Sequence, residues 1–216
     1  GYAMQLVKEK WWSMVYCTGT FMLFALVLII PDTRAVFKRL SIKHPYGMGF
    51  AKFALLATTG ELLAYRISHK VWGSPCKIVA RFVIWGVTGV WITYMMKIFS
   101  TGTAALLGGA LRQESRLLQA FVTSATMNLC FGPTFMAAHK CSDCWLELRT
   151  KKLDSSLACV VAGVDWPAFV RVTLLKTVPL FWIPAHTVTF LLPAEYQVMM
   201  AAALSVALGV FLSWKK

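Results

Sequence analysis

The residues best placed to do chemistry in this sequence are ionisable side chains inside apolar runs. Glu61 stands in the middle of one such run, nine residues after Lys52. A carboxylate in that setting is costly enough to count as a functional hypothesis by default. With Lys97, Arg171 or Lys176, which also fall in apolar runs, it could line a polar cavity or a proton or ion path. The competing reading is structural: a buried ion pair or hydrogen bond that fixes helix register, with Lys52 reaching toward the interface. His186 could ligate a haem, but a bis-histidine site needs a second histidine at matching depth. His44, His69 and His139 all fall in expected loops. His186 is therefore expected to bond a carbonyl freed by Pro184, or to line a polar pocket.

The segment His139-Lys-Cys141-Ser-Asp-Cys144 carries a Cys-x-x-Cys with a nearby histidine. Structural zinc needs four ligands, usually two pairs at defined spacing, and only the distant Cys159 is left to help. His139, Cys141 and Cys144 are thus weak metal candidates, and no metal is expected. The six cysteines do not form the layout of a secreted disulfide framework. The sequence holds no glycine-rich phosphate loop, nucleophile elbow or paired carboxylates on one helix face. An enzyme is not expected.

The elements that must hold these residues are apolar helices. Of 216 residues, 58% are hydrophobic and 14% charged, and mean hydropathy is +0.63. A soluble domain carries roughly 25% charged residues, so an integral, all-α membrane protein is expected. A net charge of +13 in so apolar a chain points to loops meeting anionic lipid, and nucleic acid is not an expected partner. Six spans are expected, at about residues 12–30, 47–67, 80–99, 117–138, 168–192 and 196–214. Trp11 and Trp12 read as an interfacial anchor. A basic loop with Arg34, Lys38, Arg39 and Lys43 should follow the first span. The stretch 100–116 should be a loop or short interfacial helix, and Gly132-Pro133 should kink the fourth span. Asp165-Trp166-Pro167 reads as a helix start with Asp165 as N-cap. The first apolar run is too long for a signal peptide. A chain that starts at Gly1 is expected to have lost either a leader or its first residues.

The C-terminal run 196–214 is about long enough to cross a ~30 Å hydrocarbon core at ~1.5 Å per residue. Glu195 lies at its positive end, and Lys215 and Lys216 at its negative end. Ala201, Ser205, Gly209 and Ser213 recur every four residues as a stripe of small side chains, which is expected to face a neighbouring helix.

These same residues carry a resemblance. Phe190-Leu-Leu-Pro193, Tyr196, and Phe211-Leu-Ser-Trp-Lys215 resemble the closing signature of the Mpv-seventeen and peroxisomal-membrane-protein-twenty-two family. His44-Pro45 and Gly60-Glu61 resemble that family's opening elements, and Gly86, Gly89 and Gly132-Pro133 follow in its order. The resemblance covers about residues 42–216, as a helical membrane domain. Residues 1–41 then form an added transmembrane helix with its basic loop. Gln197, Leu208-Gly209 and Thr189 stand where the family carries other signature residues. The resemblance implies a multi-pass protein of the mitochondrial inner membrane, or alternatively of the peroxisomal membrane. Combined with the drifted signature, it leads to an accessory structural subunit of a respiratory complex, supercomplex or ATP synthase. The alternative is a free-standing channel or metabolite transporter of the family type. Expected partners are membrane lipids and other membrane subunits. No cofactor is expected beyond bound phospholipid, cardiolipin being one candidate.

Overall fold

The computed structural model describes residues 2–114 and 116–214, with side chains described over 10–108 and 116–213. Lys215 and Lys216 lie outside the described residues. Every described element is helical: α1 (Tyr2–Ile29), α2 (Pro31–Lys43), α3 (Pro45–His69), α4 (Ile78–Glu114), α5 (Arg116–Cys130), α6 (Gly132–Thr150), α7 (Leu157–Ala162), α8 (Trp166–Ala168), a π-helix (Phe169–Trp182), α9 (Ile183–Leu191) and α10 (Ala194–Trp214). Four stretches are long and apolar enough to cross a membrane: Lys10–Ile29, Ile78–Gly108, Trp166–Leu191 and Ala194–Ser213. They correspond to the first, third, fifth and sixth expected spans and point to a membrane location. The second expected span lies in α3, which carries Lys52, Glu61 and Arg66. The fourth is divided between α5 and α6 at Phe131.

Three segments expected to lie between the spans are helical, among them 100–116, expected as a loop or a short interfacial helix. The basic segment after α1 forms α2, because Pro31 supplies the fixed φ of a first turn while Asp32 and Lys43 complement the two ends of the helix dipole. Thr33 Oγ1 ties it back by donating to the Leu26 and Ile30 carbonyls at 3.0 Å. The Thr/Ala-rich segment past residue 99 continues α4 as far as Gly108. There a φ of 67° breaks the helical path, a conformation glycine alone adopts without penalty. The polar segment around Cys141 belongs to α6.

The chain forms two compact units. Unit 1 comprises residues 1–94 and 195–216, so α1, α2, α3, the first part of α4 and α10 share one unit. Unit 2 comprises residues 95–194.

Unit 1 is packed by close backbone approach. A Cβ on Gly89 would collide with the Gly49 carbonyl and stand 2.6 Å from Phe53 Cβ. A Cβ on Gly60 would sit 3.1 Å from Val206 Cα. Phe53, Ala54 and Leu62 on α3 and Ala202 on α10 are fully buried. In lipid, where apolar tails compete with apolar side chains, such close approach is what dispersion has to work with.

Unit 2 is built on α5 against α9, with the π-helix leading into α9. Asp165 Oδ1 accepts from Ala168 N at 2.9 Å, capping the start of this long helical stretch as its sequence anticipates. Pro179 lies inside the π-helix and Pro184 in the first turn of α9. Each removes a backbone donor, and a wider π turn is one way for a helix to absorb that loss.

Candidate functional site

Three polar clusters form around Lys52, Glu61 and His186. The first is built on Lys52, 3% exposed, which α3 turns toward α2 and α10. Its ammonium donates to Ser41 Oγ at 2.8 Å and to the Glu195 carbonyl at 2.9 Å. It also sits 4.5 Å over the Phe37 ring, an arrangement in which the ring face stabilises a cation. Glu195 serves twice, because its carboxylate pairs with Lys38 Nζ at 3.4 Å. Phe37 and Tyr196 stack at 6.0 Å beside them. Two hydrogen bonds and a π face hold the amine between three helices, so it pins α2, α3 and α10 in register.

The second cluster is built on Glu61. Arg81 Nη1 donates to both carboxylate oxygens at 3.3 Å, and Trp85 Nε1 donates to Oε1 at 2.7 Å. Arg81 Nε bonds the Cys76 carbonyl at 3.1 Å. The guanidinium and carboxylate are 14% and 17% exposed. Glu61 therefore finds its cation in Arg81, at the very start of the third expected span. Arg81 and Trp85 sit four apart near the start of α4, on one face, and that spacing was the available signal. The carboxylate is saturated by fixed donors, as a structural ion pair is.

The third cluster lies in unit 2. His186 Nδ1 is 3.0 Å from Asn128 Nδ2 and 3.2 Å from Asn128 Oδ1. Asn128 Nδ2 also donates to the Ser124 carbonyl at 2.8 Å. Ser124 Oγ and Thr187 Oγ1 each donate to the Ile183 carbonyl at 2.7 Å. The Trp182 ring lies 5.1 Å from the imidazole. Whichever amide atom faces Nδ1, the buried Nε2 has no hydrogen-bond partner among the described residues. His186 thus pairs with a side chain on α5, and the hydroxyls around it serve the Ile183 carbonyl. Asn128 and Ser124 were missed in the sequence because a polar pair four residues apart in a helix carries no chemistry by itself.

The remaining candidates are placed differently. Lys97, Arg171 and Lys176 are exposed and make no ion pair among the described residues. Cys141 and Cys144 are free thiols, one turn apart on α6, and His139 pairs with Asp143 at 3.6 Å. The described residues bring together no group of three or more His, Cys, Asp or Glu side chains able to hold a metal. In the C-terminal stripe, Ala201 is buried, while a Cβ on Gly209 would meet nothing within 4 Å. Ser205 and Ser213 turn their hydroxyls back to the Ala201 and Gly209 carbonyls, at 3.1 and 2.7 Å. Ala202 and Val206, on the adjacent row, are buried as well, and Val206 lies against Gly60 of α3.

Outside the apolar helices, Asp154 shapes the turn into α7. It accepts from Cys159 Sγ at 3.1 Å, Ser156 Oγ at 3.0 Å and Ser156 N at 2.9 Å. The Cys159 thiol first, and then the Ser156 donors, hold its carboxyl below the ordinary carboxylate range.

The sequence matches no family model, no curated protein and no solved structure.

Proposed function

We propose that this chain is a non-catalytic, multi-pass membrane protein of the Mpv-seventeen type that serves as an accessory structural subunit of a large mitochondrial inner-membrane assembly. In this reading α3, and α5 with the start of α6, add two crossings to the four apolar stretches. The observation that carries it is the saturation of the α3 charges. Lys52 and Glu61 are the ionisable groups a conduction path would need free, and each is held by fixed partners. Freeing either charge means giving up fixed hydrogen bonds in a largely desolvated setting, so these charges resist the rearrangement that transport would ask of them. The long apolar helices support the same reading, since only 11–22% of each most apolar window is buried within the chain. The remaining surface is left for lipid and for other subunits.

A native gel of source membranes in mild detergent tests this. The protein should run in a high-mass band, and migration alone at 24.1 kDa overturns the reading. A channel or metabolite transporter is the second reading, favoured by the unpartnered Nε2 of His186. It predicts solute flux in liposomes that His186→Phe abolishes.

A further inference from the structure

The stretch Trp166–Leu191 exposes one continuous ridge. Pro167, Arg171, Leu175, Lys176, Leu180, Pro184 and Val188 are all exposed, at intervals of four to five residues. That interval follows from the π-helix, whose hydrogen bonds close from i to i+5 and bring residues five apart over one another. In an α-helix Arg171 and Lys176 would point in directions well over a right angle apart. Here they share the ridge, set among Val172, Leu175 and Leu180, which are 45%, 68% and 77% exposed.

A cation facing lipid near the centre of a span costs about 2.5–3.5 kcal/mol even on the mildest scale. Lys176 is ten residues from Trp166, up to ~15 Å along the axis, which is half of a ~30 Å hydrocarbon core. A phospholipid phosphate stays at the surface, and to meet it Lys176 would have to stretch its stem along the helix and away from the ridge. The compensating anion must come from another span. Within the four apolar stretches of this chain the only carboxylate is Glu195, and Lys38 already holds it. A second copy of the chain therefore has no free carboxylate of the right kind in those stretches.

We infer that the Arg171–Lys176 ridge docks a transmembrane helix of a different protein, one that presents an aspartate or glutamate within the hydrocarbon layer. This rests on the subunit reading above and names the face and the partner's chemistry. Apolar side chains along the ridge supply the packing, and the two cations supply register and partner choice.

The test treats native membranes with a hydrophobic carbodiimide. The reagent activates a buried carboxylate, and an adjacent lysine amine then displaces the urea to leave an amide cross-link. Wild type should give one cross-linked species above its own mass. Lys176→Arg keeps the charge but forms no such amide, so it should stay in the high-mass native band and lose the cross-link. Arg171→Leu with Lys176→Leu should lower the high-mass band roughly tenfold or more, while the purified variant remains monodisperse in detergent. Wild type migrating alone would overturn the subunit reading and this inference together. Wild type in an assembly that the double leucine variant joins equally well would overturn the inference alone. So would a cross-link that survives Lys176→Arg, or an absent cross-link in assembled wild type.

Discussion

The two units handle charge in opposite ways. In unit 1 the two charges set into α3 are answered from within: Lys52 by Ser41, the Glu195 carbonyl and the Phe37 ring, Glu61 by Arg81 and Trp85. In unit 2 the inward polar side chains pair with one another, His186 with Asn128 and Asn128 with Ser124, while Arg171 and Lys176 point outward with no ion pair among the described residues. The difference teaches where each unit's specificity is spent. Closed charges fix the register of a unit's own helices, whereas open charges can only fix the register of something else.

The contrast breaks most sharply at the backbone crossing in unit 1. Gly89→Leu must push α3 and α4 apart at Gly49, and should cost about 3 kcal/mol or more or prevent folding. Unfolding in mixed detergent micelles reads this out. If Gly89→Leu is tolerated, the crossing is looser than the geometry says. Next in size, Lys52→Ala removes a packed stem and both hydrogen bonds, and should cost about 2–4 kcal/mol in the same assay. Lys52→Met keeps the stem and sheds the desolvated charge, so its cost should be about 1 kcal/mol or less. Equal losses for the two variants would show that the ammonium, and not the stem, holds the three helices.

In unit 2, Asn128→Leu strips His186 of its remaining partner and should cost about 1–2 kcal/mol. A change near zero would mean that this pair contributes no more than the exposed ridge does.

The smallest effect concerns pH. The folded carboxyl of Asp154 titrates below its ordinary value, so its contribution is present in full above about pH 4 and is lost as the pH falls through the folded value. Asp154→Asn should remove that share of the acid-side decline by lowering the thermal midpoint slightly at neutral pH, so that the variant and wild type converge in acid. A neutral-pH loss as large as the Lys52→Met loss would contradict this.

Much of this was legible along the chain, and the reasons for the remainder are physical. Asp165 signals its cap because capping is local, requiring only the three residues to Ala168. Gly86 and Gly89 signal close packing, and a Cβ at either would run into Phe50 or Gly49. Lys52 and Glu61 stand out as anomalies in apolar runs, but an anomaly does not name its partner. The Glu195 carbonyl is 143 residues from Lys52 and is a backbone group, invisible to any reading of side-chain types. The helicity of 31–43 was masked by its charge, although Pro31, Asp32 and Lys43 are each where a helix wants them. The ridge on Trp166–Leu191 could not be seen at all, because a period of 3.6 scatters Arg171 and Lys176 onto different faces.

That π-helix also works as a phase shifter. Each residue in a wide turn advances the chain around the axis by less than a residue in an α-helix does. The fourteen residues Phe169–Trp182 therefore set the angle at which α9 emerges relative to the Asp165 cap. Deleting one residue within them, and letting the ladder relax toward α, would rotate everything downstream without touching it. His186 would turn away from Asn128, and the ridge would lose its alignment between Arg171 and Val188. Length here is an angular variable, and one residue is enough to retune it.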